Sequence, residues 1–150
     1  MKGYFENEEA TKSTLRSDGW LHTGDIAKFD EQGWLYITDR SKELIKFKGF
    51  QVPPAELEAI ILTMPQVKDV VVIPVLDDEA GEVPRAYVVK QDSAPADFVA
   101  DDVIEFVHAR VAPYKRLRGG VRFTASVPKS PSGKLLRRVQ IQLDRAAPAS

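Results

Sequence analysis

The sequence contains no cysteine, so it can form no disulfide framework and can supply no thiolate of its own. Its two histidines, His22 and His108, are far apart and lack ligand-like neighbours, which argues against a zinc site and against a serine–histidine triad. Charge of one sign is also missing: 21 lysines and arginines face 22 aspartates and glutamates, for a formal net charge of −1. No global field therefore favours nucleic acid or anionic lipid, and an anion site has to be built locally. No apolar run approaches the about 20 residues that span a bilayer. Met1-Lys2-Gly3-Tyr4 does not open like a secretory signal either, so the expected compartment is the cytoplasm. What is present is 150 residues, 43% of them hydrophobic, enough to bury a core in one domain or slightly more.

The first forty residues and the rest differ in character. Residues 3–18 are polar and carry too few apolar positions to bury much by themselves. From Trp20 to Phe29 and from Trp34 to Thr38 the pattern is that of two strands, and Asp30-Glu31-Gln32-Gly33 between them reads as a hairpin turn. A lone hairpin is marginal in water, so Trp20, Phe29 and Trp34 are expected to pack on another body.

After Asp39-Arg40 the chain reads as self-sufficient. Leu44 to Phe47 and Phe50 to Val52 predict a two-stranded ribbon around Gly49, and Pro53-Pro54 opens a helix with Leu57, Ile60, Ile61 and Met64 inward. Glu56 and Glu58 complement the positive end of that helix. The β-branched run Val67 to Leu76 and the segment Ala86 to Lys90 predict strands on either side of an acidic turn, 77–82. Asp101-Asp102 caps a helix to about Val111, with His108 near its carboxyl end. A strand at 121–125, a loop at 128–133 and a short helix at 135–143 complete an α+β fold: a small mixed β-sheet flanked by about three helices and preceded by a β-hairpin. The Ala/Pro/Ser stretch 144–150 is expected to be a disordered tail.

Three polar clusters could carry chemistry. Asp25 follows Gly24, and its carboxylate, if not merely a turn aspartate, could accept both hydroxyls of a vicinal diol such as a ribose. Arg40 to Gln51 concentrates Arg40, Lys42, Lys46 and Lys48 around Gly49, either as a solvated strand edge guarded by lysine or as an anion-binding face. Lys129-Ser130-Pro131-Ser132-Gly133-Lys134 is a flexible loop ending in a compact cation, which could stabilise charge developing on a phosphate or be an ordinary surface loop.

Taken in order, these clusters resemble the adenylate-forming superfamily of acyl-CoA synthetases, nonribosomal peptide adenylation domains and luciferases. The likeness rests on Gly19-Trp20-Leu21-His22-Thr23-Gly24-Asp25, Asp39-Arg40-Ser41-Lys42, Lys46-Phe47-Lys48-Gly49-Phe50-Gln51-Val52 with Pro54-Ala55-Glu56-Leu57-Glu58, and Pro128 to Lys134. It covers nearly the whole chain and is greatest to acyl-CoA ligases of the 4-coumarate type. The resemblance implies the carboxyl-terminal part of an ATP-dependent acid–CoA ligase of fatty-acid or phenylpropanoid metabolism. Such an enzyme converts a carboxylic acid and ATP into acyl-AMP and pyrophosphate, then passes the acyl group to coenzyme A.

By the same resemblance Asp25 and Arg40 bind the nucleotide and Lys42 is the hinge of a rotating domain. Lys134 reaches the carboxylate and α-phosphate during adenylation. After rotation Lys46 and Gln51 face the adenylate, while Lys48, Gly49 and Phe50 line the channel for the pantetheine arm. Implied partners are the acid, ATP and CoA, with Mg2+ held by a large amino-terminal domain whose phosphate loop is not among these residues. Residues 1–39 then correspond to the last segment of that domain, 40–42 to the hinge and 43–143 to the mobile domain. The chain alone is expected to be inactive. Two alternatives remain: an adenylation enzyme that loads a carrier protein or oxidises its adenylate as luciferase does, and a non-catalytic polyanion or nucleic-acid-binding module using the basic runs 40–48, 115–122 and 134–138.

Overall fold

Two compact units divide the chain, Met1–Lys42 and the part from Glu43 onward, in a computed structural model that describes residues 1–147. The first unit begins with a helix missed by the sequence reading, α1 (Glu8–Thr14). It forms because Asn7 Oδ1 accepts the Ala10 N–H at 2.9 Å and Glu8 pairs with Lys12 one turn on at 2.8 Å. α1 buries no residue.

Strands β1 (Asp25–Phe29) and β2 (Leu35–Arg40) then form the expected antiparallel hairpin. Its turn is held by Asp30 Oδ1, which accepts the N–H groups of Gln32 at 3.0 Å and Trp34 at 2.8 Å, with Gly33 at φ +86°. The first strand starts at Asp25 rather than Trp20, since 20–24 carries only a single bridge from Leu21 to Leu15. Within this unit only Asp39 is buried, while Trp20, Phe29 and Trp34 are 74%, 71% and 70% exposed.

The second unit holds the core. Strands β3 (Ile45–Phe47) and β4 (Phe50–Val52) lead into α2 (Pro54–Ile61), followed by β5 (Val67–Asp77), β6 (Gly81–Lys90), α3 (Ala100–His108), a 3-10 turn at Pro113–Lys115, β7 (Val121–Phe123) and α4 (Arg137–Ala146). The sheet order is β4-β3-β6-β5, and β7 adds in parallel to β6, so the sheet is mixed and three helices flank it as the α+β reading requires. Strand alternation splits the apolar residues between two faces. Val70, Val72, Ala86 and Val88 pack with Leu57 and Ile61 of α2 and Val103 and Val107 of α3. Val71, Ile73, Tyr87 and Val89 pack with Val127, Leu135 and Ile141. Because both faces are covered, β5 reads as an unbroken β-branched run, and each fully buried valine or isoleucine contributes about 1.5–3 kcal/mol.

β6 begins at Gly81, five positions before the sequence reading places it, because Pro84 masks the strand signal. Pro84 lies opposite Pro74 with the same parity as Ala86 opposite Val72. At Val72 and Ala86 the backbone points out of the β5–β6 ladder, Val72 N–H to Glu58 and Ala86 N–H to Gly120 O. The two prolines therefore occupy positions where that ladder needs no N–H donor.

α4 runs through Ala146, so residues 144–146, expected in a tail, are helical; 148–150 lie outside the described residues. Asp144 explains the extension. Its Oδ1 accepts hydrogen bonds from the Tyr87 hydroxyl at 2.5 Å and Arg85 Nη1 at 2.7 Å, with Arg122 Nη1 at 3.9 Å, pinning the last helical turn to β6 and β7. Burial alone would raise the Asp144 carboxyl, but the hydrogen bonds from Tyr87 and Arg85 outweigh it and hold the group below its ordinary value.

A carboxylate depressed in the folded state stabilises above its unfolded pKa of about 3.9 and loses that contribution as pH falls through the folded value. Urea midpoints measured from pH 6 downward should therefore decline more steeply for the native chain than for Asp144→Asn. Parallel acid limbs would show that Asp144 is not differentially ionised.

Candidate functional site

Asp25 and Arg40 are cross-strand partners at the open end of the first unit's hairpin. Arg40 Nε binds Asp25 Oδ1 at 2.8 Å, fixing the carboxylate on a side chain only 19% exposed. Just beyond β2, Ser41 donates both its N–H, at 2.8 Å, and its hydroxyl, at 3.1 Å, to Gly24 O, so the glycine before Asp25 is tied to the residue after Arg40. The structure thus joins two residues that sequence reasoning singled out separately. Lys42, the expected hinge, is the last residue of this unit and is exposed.

In the second unit Lys46 lies opposite Gln51 and Phe47 opposite Phe50, so the expected ribbon residues share one two-stranded element. Its turn is Lys48-Gly49, with φ +44° and +83°, and the second value favours glycine. A Cβ at Gly49 would meet no atom within 4 Å, so packing within the chain does not require glycine there. The ribbon is anchored to the β5–β6 turn: Lys48 N–H donates to Ala80 O at 2.9 Å, Lys46 N–H to Glu82 Oε2 at 2.8 Å, and Phe47 pairs with Gly81. Phe50 stacks on Tyr114 with ring centroids 4.7 Å apart, leaving Lys46, Lys48 and Gln51 exposed.

Lys134 is exposed at the end of a closed loop. Ser130 N–H donates to Lys134 O at 2.9 Å, Lys134 N–H to Ser130 Oγ at 3.1 Å, and Lys129 bridges Leu135. Lys129 Nζ pairs with Asp69 near the start of β5. The ribbon instead joins the sheet beside the far end of that strand, where Asp77 pairs with Gly81. At the rise of an extended strand the two anchor points are on the order of 25 Å apart. The structure therefore does not bring Lys134 together with Lys46 and Gln51.

Sequence reasoning missed the groups that hold these elements. Glu58, read as a partner of the helix dipole, is instead buried against the outer edge of β5, where Oε1 accepts the Val72 N–H at 2.7 Å. Glu56, read the same way, pairs with Lys115 at 2.7 Å. Arg137, three residues after Lys134, pairs with Glu58, donates from Nη1 to Val72 O at 2.7 Å and from Nε to Glu43 Oε2 at 2.9 Å. Burial alone would lower the Arg137 pKa, but Glu58 and then Glu43 hold it above its ordinary value. A buried glutamate one position after Leu57 and three before Ile61 has no local signature, because its partner lies far along the chain.

Comparison with known proteins places the chain in a family. The family model for the AMP-binding enzyme C-terminal domain matches residues 56–134. The chain is 54% identical over 143 residues to peroxisomal OPC-8:0-CoA ligase 1 of Arabidopsis thaliana, covering 95% of this chain and 26% of that protein. It is equally similar, 54% over 143 residues, to 4-coumarate--CoA ligase-like 4 of Oryza sativa subsp. japonica, covering 95% of this chain and 25% of that protein. Among solved structures, ATP-bound MatB from Rhodopseudomonas palustris aligns with a TM-score of 0.86 at 34% identity over 95% of this chain and 28% of that one. The chain spans about a quarter of the length of the curated relatives it matches.

Proposed function

The chain belongs to the family of AMP-binding enzyme C-terminal domains, and from that premise we propose that it is the carboxyl-terminal part of an ATP-dependent acid–CoA ligase. The complete ligase joins a carboxylic acid to ATP, releasing pyrophosphate, and then transfers the acyl group from AMP to coenzyme A. The observation that carries this reading is the separation of Lys134 from the Lys46–Gln51 ribbon. One lysine and one amide-bearing ribbon, anchored on a single body at points of β5 and β6 on the order of 25 Å apart, are read as serving one acyl-adenylate in two orientations rather than one. They suit two half-reactions reached by turning that body about Lys42.

In the first orientation Lys134 meets the negative charge that gathers as a carboxylate oxygen attacks the α-phosphate. Asp25 accepts the ribose hydroxyls, its rotamer set by Arg40. In the second, Lys46 and Gln51 supply a cation and an amide to the adenylate, and the open space over Gly49 lets a pantetheine arm run close to the turn, past Lys48 and Phe50. The thiol comes from coenzyme A, which fits a chain without cysteine. Among the described residues no group of three or more His, Asp or Glu is placed to hold a metal ion, and the Mg2+ that accompanies ATP is proposed to belong to the amino-terminal domain of the complete ligase.

The polyanion-binding alternative is disfavoured because several of its cations are already paired: Arg40 with Asp25, Lys115 with Glu56, Arg137 with Glu58. No described helix is long and apolar enough to cross a membrane. The cytoplasm is the proposed compartment, and the peroxisomal name of one relative supplies the competing one, which fractionation distinguishes.

The test of function compares the chain alone with the complete ligase. The chain alone should show no acid-dependent pyrophosphate exchange, whereas the complete ligase should exchange pyrophosphate and form acyl-CoA when given coenzyme A. Exchange without acyl-CoA would move the reading to carrier-protein loading or oxidation, and exchange by the chain alone would overturn it.

A further inference from the structure

The Lys134 loop is cross-linked by its own backbone. Its interior is closed by Gly133 N–H to Ser130 O at 2.9 Å and its base by Leu136 N–H to Pro128 O at 2.9 Å, which couples the backbone at Lys134 to the rest of residues 128–136. Two ties fix that loop to the rest of the unit. One is the Lys129–Asp69 ion pair on the segment entering the loop. The other is Arg137, two residues beyond Leu135, which bridges Lys129 across its base.

Arg137 grips three elements at once. Its bonds to Glu58 and Val72 O belong to the sheet edge, where Glu58 also accepts the Val72 N–H, and together they complete the outward-pointing backbone groups of a fully buried residue. The third bond, Nε to Glu43 Oε2 at 2.9 Å, does nothing for that edge. Glu43 is the first residue of the unit, directly after Lys42, and its side chain is 38% exposed. A charge-assisted bond from a planar guanidinium, itself locked by two further acceptors, imposes direction as well as contact.

We propose that Arg137 is a positioning residue for the adenylate-forming step, holding the Lys134 loop in fixed register with the segment that leaves the pivot through its bond to Glu43. This rests on the reading of Lys134 as the adenylation lysine and Lys42 as the hinge. Lys134 lies three residues from Arg137, so slack in the Arg137–Glu43 tie becomes displacement of the ammonium group relative to the segment that leaves the hinge. A displacement of about 1 Å in a charge-stabilising group is enough to cost on the order of a hundredfold in rate. The ribbon, which begins two residues after Glu43, has anchors of its own on Ala80, Gly81 and Glu82 and keeps them when the Glu43 bond is removed, so the thioester half-reaction is expected to be affected less.

The test uses Glu43→Ala and Glu43→Gln in the complete ligase. Glu43 is half-exposed and its removal leaves the Arg137–Glu58–Val72 bonds in place, so the fold should survive, which far-UV circular dichroism checks. Glu43→Ala is expected to lower kcat for adenylate formation by about ten- to a hundredfold, with KM for ATP and the rate of thioester formation from supplied acyl-adenylate each within about twofold. Glu43→Gln, which keeps an acceptor, should recover part of the loss.

Equal loss in both half-reactions, or loss in neither, overturns the proposal. Lys134→Ala run in parallel tells the two failures apart. If it is selective for adenylation while Glu43→Ala is not, only the positioning role falls; if Lys134→Ala is itself unselective, the reading of Lys134 falls and the positioning role with it.

Discussion

Replacing Lys134 by alanine in the complete ligase is expected to slow adenylate formation by about two to three orders of magnitude, while thioester formation from supplied acyl-adenylate stays within about twofold. The magnitude is that of removing one preorganised charge-stabilising donor from a transition state. The selectivity comes from geometry. Lys134 is exposed on a loop anchored at Asp69, and the Lys46–Gln51 ribbon is anchored at the opposite end of the β5–β6 pair. A group that cannot reach the adenylate in the second orientation cannot contribute to its breakdown. Pyrophosphate exchange reads the first half-reaction, and release of AMP from synthetic acyl-adenylate in the presence of coenzyme A reads the second. The complementary variant, Gln51→Ala, should weigh on the second assay. If Lys134→Ala depressed both assays equally, a single orientation would serve both steps and the assignment of roles would be wrong.

The second large effect is on stability. Arg137→Leu should destabilise the second unit by about 3–5 kcal/mol, because it leaves the Glu58 carboxylate buried without its cation. Adding Glu58→Leu removes the orphaned charge but should restore only part of the loss. Val72 is fully buried and would keep a backbone N–H and C=O with no side-chain partners, at about 1–3 kcal/mol. Urea denaturation followed at 222 nm is the measurement, since helices α2, α3 and α4 all lie in this unit. Tryptophan fluorescence does not serve, as Trp20 and Trp34 both belong to the first unit. A loss below about 1 kcal/mol for Arg137→Leu would mean that the pair behaves as a solvated surface bridge.

Much of the second unit was legible in the sequence because its signals are local. Pro53-Pro54 before Leu57 and Ile61, Asp101-Asp102 before Val103 and Val107, and the β-branched run of β5 each report a backbone preference within a few residues. The ribbon was legible for the same reason, since Lys48-Gly49 between short apolar stretches demands a two-residue turn. The misreadings share the opposite cause. α1 was overlooked because it buries nothing and so carries no apolar period. The start of β6 was hidden by Pro84, whose acceptability depends on the register with β5. The last turn of α4 was taken for tail because Asp144 has its partners, Arg85 and Tyr87, on a strand far back in the chain.

The sequence by itself determined the family to which the chain belongs, the α+β alternation of its elements and the residue types on which the proposed function draws: Asp25, Arg40, Lys46, Gln51 and Lys134. Those follow from short-range patterns and from the ionisation chemistry of single side chains. Only the tertiary structure decided which of them meet. It paired Asp25 with Arg40, set Lys46 opposite Gln51, anchored the Lys134 loop through Lys129 to Asp69 and tied its exit through Arg137 to Glu58, Val72 and Glu43. Which buried carboxylate finds which guanidinium is fixed by strand register and helix placement, and residues as far apart as Glu43 and Arg137 carry no local trace of it.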